Sequence, residues 1–408
     1  MTTKNNIPAG YKDSVVGIIP QEWEVKPVKD FGKVVTGNTP STAEVSNYGD
    51  EYMFVSPVDL SDDKKYIFRT EKMLSSKGYA VSRKMPKGAI LYTCIGSTIG
   101  KIGIASCELT SNQQINAVIC DDNNEYFYYA LLFLTGRIKM LAGEQAVPII
   151  NKSDFERIKL AVPPMEEQRK IAEILGVWDE AIEKQSRLIE RLELRKRALM
   201  QRLLSGRTRL PGFTTPWQKI KLGEICEEYI LRNTEDNNYI VLSCTKYNGL
   251  VSSLDYFGKQ IFSDNLRTYK VVPKYHFAYA TNHIEEGSIG YQGCYDYALI
   301  SPMYTVFKTD DKKVDNYFLY RLLKTPLMIY NYQSRIEGSI DRRGGLRWDA
   351  FAGITIKLPS LPEQKAIAEV LTAADNEIAT HRKKLDALRL QKRGLMQQLL
   401  TGKTRVKI

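Results

Sequence analysis

The sequence predicts an α+β protein: two sheet-rich mixed domains, each followed by a long helix, in a pseudo-twofold internal repeat. Three observations lead there. Residues Pro163–Gly206 recur as Pro359–Gly402 at a constant offset of 196, without a gap, with nineteen identities in 44 positions. Each copy carries a sustained 4-3 apolar alternation. The stretch before each copy is made of short β-rich runs punctuated by glycine. A period this long denotes a duplicated domain plus helix rather than a solenoid. The expected divisions are a first domain over 1–162, a first helix over 163–206, a second domain over 207–358 and a second helix over 359–408.

Each domain opens on a tryptophan followed five residues on by an aliphatic, Trp23 to Val28 and Trp217 to Leu222. Next come MPKGAILYTCIGSTIGKIGI from Met85 and VPKYHFAYATNHIEEGSIGY from Val272. Both read Pro-Lys, an apolar run, a turn, then Ser-x-Ile-Gly or Ser-Ile-Gly. EYFYYALL from Glu125 and NYFLYRLL from Asn316 read as short amphipathic helices with aromatic anchors. Phe155, Ile158 and Leu160 match Phe351, Ile354 and Ile356 just before each long helix.

The first helix has a seam at Ile171, Leu175, Trp178, Ile182, Gln185, Ile189, Leu192, Lys196, Leu199 and Leu203. The second has Ile367, Leu371, Ala374, Ile378, His381, Leu385, Leu388, Lys392, Leu395 and Leu399, with its polar breaks at the same two places. Such alternation over five heptads is a coiled-coil seam. Proline and acids at the start (Pro164, Glu166, Glu167; Pro362, Glu363) and glycine at the end (Gly206, Gly402) are start and stop signals. A narrow seam cannot bury itself, so each helix needs a partner. Antiparallel pairing of the two copies would return the second helix toward the first domain, giving a rod that holds two domains apart.

The chain has 408 residues and 43% hydrophobic content, enough for separate cores. No run reaches the roughly 18 apolar residues of a membrane helix. The opening MTTKNNIPAGYKD has no apolar signal core, which predicts a cytoplasmic protein. Six dispersed cysteines without a C-x-x-C pair predict reduced thiols used as small core filler. Net charge is +11. Lys64–Lys87 carries eight basic residues against Glu71, and Arg335–Arg347 four arginines against Glu337 and Asp341. One concentrated basic segment in each half suits a polyanion.

Motifs for catalysis are missing. Gly402-Lys403-Thr404 resembles the end of a phosphate-binding loop, but Gln397 stands where its glycine is required. Three histidines, His276, His283 and His381, show no metal spacing. No nucleophile elbow, dinucleotide-binding loop, adenine-methyltransferase motif or helicase motif occurs. The chain itself is expected to be non-catalytic.

At VPPMEEQRKIAEIL (Val162–Leu175) and LPSLPEQKAIAEVL (Leu358–Leu371) the sequence resembles the specificity subunit of a type I restriction-modification system. The opening GYKDSVVGIIPQEWEV and the PGFTTPW linker are similar to that family too, and the resemblance covers essentially the whole chain. It implies a subunit inactive alone, bound to two methyltransferase subunits and to ATP-driven endonuclease-translocase subunits. S-adenosylmethionine, ATP and magnesium would sit on those partners, and no cofactor or metal in this chain. It implies two target recognition domains, each reading one half of a bipartite site in double-stranded DNA. The helical rod would set the spacer and dock the methyltransferases.

Phosphate contacts are then expected from Lys64, Lys65, Lys72, Lys77, Arg83, Lys84 and Lys87 in the first domain. Arg335, Arg342, Arg343 and Arg347 are expected to do the same in the second. Base contacts are expected from Ser97, Thr98, Asn112, Gln113 and Gln114, and from Asn282, His283, Gln292 and Arg342. Arginine suits guanine, and asparagine or glutamine suits adenine, in the major groove. The competing reading is a stand-alone DNA-binding regulator or scaffold that dimerises through its helices; a third is a self-sufficient nuclease.

Overall fold

The computed structural model describes residues 7–61, 64–142, 147–336 and 345–408. The chain forms two compact units, Met1–Glu190 with Thr380–Ile408, and Arg191–Ala379. Each unit therefore contains one sheet-rich domain and a segment of both long helices.

The first domain is built on two five-stranded sheets. One has the strand order Gly32–Thr36, Ile115–Cys120, Ile90–Thr93, Ile102–Ala105, Tyr66–Ile67; the other has Tyr48–Gly49, Lys72–Leu74, Tyr52–Val55, Leu109–Ser111, Lys84–Met85. Strand Ile90–Thr93 is buried on both faces, hence its unbroken apolar run. Its period-2 alternation feeds two cores. Ile90 and Tyr92 pack with the aromatic face of helix Asn124–Leu141. Leu91 packs with Ala105, Leu109 and Ala117. The helix starts at Asn123, whose side chain accepts from the Tyr126 N–H at 3.3 Å.

The second domain repeats the first sheet's central order on four strands: Cys226–Glu228, Tyr304–Thr309, Phe277–Ala280, Ile289–Tyr291. Phe277, Tyr279 and Phe307 face the helix-side core, while Ala278 and Val306 face the other. Helix Asn316–Leu323, capped by Asp315, stops early because Thr325 and Pro326 start a new helix, Pro326–Gln333.

The strand pairing corrects one sequence match. Ser97–Gly100 forms a turn before its strand, whereas Ile289 and Gly290 lie inside one. By register, Gly290 opposite Ala278 corresponds to Gly103 opposite Leu91. A methyl at Gly290 would lie 2.4 Å from the Leu250 backbone nitrogen; at Gly103 the nearest neighbours are side-chain tips at 3.0 Å. The cysteine reading needs correction as well. Cys94 and Cys226 are buried and burial pushes their thiols up to about 12, but Cys107 and Cys294 are exposed.

In each domain the entry strand pairs antiparallel with the exit strand: Glu24–Pro27 with Lys159–Val162, and Gln218–Lys221 with Thr355–Leu358. This pairing sets Trp23 beside the start of the first long helix, and Trp217 beside the start of the second. The long helices span Met165–Leu203 and Leu361–Leu399, 39 residues each, or roughly 58 Å at the α-helical rise. Their segments run antiparallel within each unit. In the first unit Ile171, Leu175, Met396, Leu399 and Leu400 all enter the domain core. In the second unit Leu203, Leu204, Ile367 and Leu371 do so. Of the seam residues, Ile171, Leu175, Ile182, Ile189, Leu192, Leu203, Ile367, Leu371, Ala374, Ile378, Leu385 and Leu399 are buried. Trp178, Leu199, Leu388 and Leu395 are half-buried.

Candidate nucleic-acid interface

A polar cluster forms at one end of the first domain's sheets, where three loops meet. The turn Asn112–Gln114 joins two buried strands, and its own amides hold it: Asn112 Nδ2 donates to Gln114 Oε1 at 2.9 Å, and the Gln114 N–H donates to Asn112 Oδ1 at 3.1 Å. Segment Thr36–Thr39 crosses it, with the Asn38 N–H donating to Ser111 O at 2.9 Å and Thr39 Oγ1 to Gln113 Oε1 at 2.5 Å. Only glycine fits at 37, since a methyl there would sit 2.2 Å from Asn112 O. Loop Cys94–Gly100, carrying Ser97 and Thr98, is tied to the same turn through the Cys94 N–H to Gln114 O at 2.8 Å. Arg83 joins from the side: its N–H donates to Asn38 Oδ1 and its Nη1 to Thr36 O, both at 2.7 Å. The structure thus gathers Ser97, Thr98, Asn112, Gln113, Gln114 and Arg83. Sequence reasoning missed Asn38 and Thr39, although the Gly-Asn-Thr-Pro turn signal was available.

The basic segment of the first domain is less uniform than its sequence. Lys64, Lys72 and Lys87 are exposed. Lys77 pairs with Glu44 at 3.4 Å and Lys84 lies over the Tyr79 ring at 4.6 Å. Lys65 does not fit a phosphate contact. Its side chain is 10% exposed, paired with Glu125 at 3.2 Å and set over the Tyr66 and Tyr129 rings. It belongs to a network in which Tyr129 donates to Asp179 of the first long helix, and Lys392 of the second pairs with the same carboxylate. Burial, then the Asp179 charge, raises the Tyr129 phenol.

In the second domain Asn282 and His283 follow strand Phe277–Ala280 and line a 300 Å³ cavity with Ser243, Thr281, Phe262 and Tyr304. Arg347 is exposed and precedes helix Trp348–Ala352, and the adjacent Leu346 N–H donates to Thr281 O at 3.0 Å. Arg335 bonds back to Asn331 O at 3.3 Å. Arg342 and Arg343 lie outside the described residues. Gln292 does not reach a surface: it is buried, and Oε1 accepts from the Cys294 and Tyr295 N–H groups while Nε2 donates to the Tyr295 carbonyl. It holds a turn. His283, Glu285 and Glu286 place donor atoms within 4.8 Å of one another, one ligand short of a tetrahedral shell.

The repeated Glu-Gln of the long helices has a structural explanation. Glu167 is fully buried and accepts from Trp23 Nε1 at 2.9 Å and from Arg405 Nε and Nη2 at 2.7 and 2.9 Å. Glu363 accepts from Trp217 at 3.3 Å and from Arg209 at 2.5 and 2.7 Å. Gln168 Nε2 donates to Pro163 O and Gln364 Nε2 to Pro359 O, each at 2.9 Å. Each arginine lies just past the end of the opposite long helix. The Glu167 carboxylate, then Glu22, raises the Arg405 guanidinium.

Comparison with known proteins agrees with this architecture. The profile of the type I restriction modification DNA specificity domain matches residues 20–194 and again 215–390. The MjaIX type I restriction enzyme specificity subunit of Methanocaldococcus jannaschii is 35% identical over 196 residues, 45% of this chain and 45% of that protein; the match spans less than half of either. The MjaVIII specificity subunit of the same organism is 26% identical over 428 residues, 95% of this chain and 94% of that one. The crystal structure of a type I restriction-modification system S subunit from M. genitalium has the same fold, with a TM-score of 0.54 at 16% identity over 98% of both chains. With the domain present twice over most of its length, the chain belongs to the type I restriction modification DNA specificity family.

Proposed function

We propose that this chain is the DNA-reading subunit of a type I restriction-modification complex, with each domain reading one half of a bipartite site. The observation that carries the reading is the convergence of loops 36–39, 94–100 and 112–114 with Arg83. It offers amide, hydroxyl and guanidinium groups in the pattern that reads base edges in a major groove. Lys64, Lys72 and Lys87 in the first domain and Arg347 in the second supply phosphate contacts that position each domain. The cavity at Asn282 and His283 is the corresponding reading site of the second domain.

The chain performs no chemistry in this reading. Two methyltransferase subunits carry S-adenosylmethionine and methylate one adenine per half-site; endonuclease-translocase subunits carry ATP and magnesium. The long helices fix the spacer, and half-sites one or more helical turns apart present the same face of the duplex. Their exposed faces dock the methyltransferases.

The test is co-expression with the neighbouring methyltransferase and genome-wide mapping of N6-methyladenine. The expected result is a bipartite motif with a fixed spacer and one methylated adenine in each half. Gln113→Ala relaxes one half only, by about 1–3 kcal/mol of discrimination at the affected base. Failure of the two proteins to associate would favour the stand-alone regulator instead.

A further inference from the structure

Within the first unit a large groove, about 1190 Å³, opens between the recognition loop and the second long helix. Ser97 and Thr98 form one lip, beside the Ser61–Lys64 bridge. The other wall is the helix face bearing Arg389 and Arg393, both exposed. Lys101 and Lys139 flank the loop, and Phe133 and Met396 line the groove. No acid lines it among the described residues. Lys392 also lines it, but Asp179 neutralises that charge. Exposed Lys139 and Arg393 have no ion pair among the described residues. The lip is held close by Gly100, where a methyl would meet Thr135 Cγ2 at 2.3 Å and Lys139 Cε at 3.0 Å. At the repeat offset Arg393 corresponds to Arg197 and Lys392 to Lys196, whereas Arg389 corresponds to Glu193.

We propose that this groove carries the sugar–phosphate backbone of the DNA as it leaves the first half-site, with Lys139 and Arg393 each contacting a phosphate. The inference rests on the DNA-reading function above and adds to it. The second long helix is then a DNA-contacting element on the first domain's side, besides setting the spacer. Charge complementarity names a polyanion. Continuity with Ser97 and Thr98 selects the same duplex whose bases those residues approach. Phe133 and Met396 in the groove suit deoxyribose between the phosphates. These contacts carry no sequence information, so they strengthen every site equally.

The experiment uses the full chain in complex with its methyltransferase partner. Binding is measured by fluorescence anisotropy over a salt series, with one duplex containing the mapped motif and one scrambled duplex. In Lys139→Gln/Arg393→Gln, the slope of log K against log salt is expected to shallow by about 0.9 per lost contact, roughly 1.8 in total. Affinity is expected to fall by the same factor on both duplexes, and the methylated motif to stay the same. Arg393→Lys is expected to keep the slope. Wild-type binding with an unaltered slope in the double variant overturns the groove assignment alone. So does a double variant that loses its methyltransferase but keeps its salt slope, which would assign the groove to an acidic protein segment. A wild-type complex that binds neither duplex overturns the DNA-reading function, and the groove with it.

Discussion

Gln185 bonds to His381, the residue 196 positions further on, so the pair joins two copies of one repeat position. Its Nε2 lies 2.8 Å from His381 Nδ1 and 2.9 Å from His381 O. The other polar breaks of the seam are also satisfied. Lys392 pairs with Asp179 in the first unit, and Lys196 with Asp375 in the second. Both pairs follow from the same offset. A buried polar layer that matches only one alignment fixes register at some expense of stability.

Gln185→Leu alone leaves the His381 groups unmatched and is expected to destabilise by about 1–2 kcal/mol. Gln185→Leu with His381→Leu removes both partners, and stability is expected to return to near wild type. Urea unfolding of the single and double variants checks this. A double variant no more stable than Gln185→Leu would show that the pair is not coupled.

Arg405→Met leaves the buried Glu167 carboxylate with the Trp23 N–H as its remaining side-chain donor. The expected loss is about 2 kcal/mol, below the usual range for breaking a buried pair, because Arg405 keeps 37% of its side chain in water. Denaturant unfolding followed by tryptophan fluorescence reads it. An unchanged midpoint would mean that the arginine adds nothing to the carboxylate's stability.

Gly290→Ala and Gly103→Ala occupy the same sheet position with different surroundings. The first forces a methyl onto backbone, and the second onto side-chain tips that can move. Gly290→Ala is expected to cost about 3 kcal/mol and Gly103→Ala about 1 kcal/mol. Equal losses would show that the two methyls meet equally yielding neighbours.

His276 gives the second domain a pH dependence. Burial lowers its pKa below the usual histidine value, and its Nε2 has no hydrogen-bond partner among the described residues. Lys274, whose carbonyl lies 3.1 Å from Nδ1, opposes the shift through that bond, and the Lys308 charge adds to it. The unfolded chain binds the proton more readily, so stability rises with pH through the window below about 6.5. It is fully present above that value and lost as pH falls through the folded pKa. Thermal unfolding between pH 5 and 7.5 is expected to show this slope in the wild type and a flatter one in His276→Phe. An identical slope in both would assign the acid sensitivity to other groups.

The helices were legible because their signal is local and repeated: heptad spacing, proline and acids at the start, glycine at the end. The central strands were legible from apolar runs such as Ile90–Thr93. The interface was only half legible. Asn112–Gln114 and Ser97–Thr98 stood out as polar loops, but their meeting with Asn38 and Arg83 depends on strand order, which no local pattern encodes. Lys65 and Gln292 were misread for the same reason. Composition gives charge and hydrogen-bonding capacity, whereas burial is set by partners distant in sequence, such as Glu125 for Lys65. Glu167 carried a strong sequence signal without a visible role, since its partners Trp23 and Arg405 lie 144 and 238 residues away.

The division of the chain into units also bears on the order in which they are completed. The second unit is one uninterrupted stretch, Arg191–Ala379, whereas the first is completed by Thr380–Ile408. Met396, Leu399 and Leu400, which enter the first unit's core, are made after the whole of the second unit. The domain made first is thus the one finished last. A free chain ending at Ala379 holds the whole second unit and a first unit that lacks Met396, Leu399 and Leu400, the reverse of the usual N-to-C order of domain completion. Loss of 380–408 therefore damages the unit whose other residues lie farthest away in sequence.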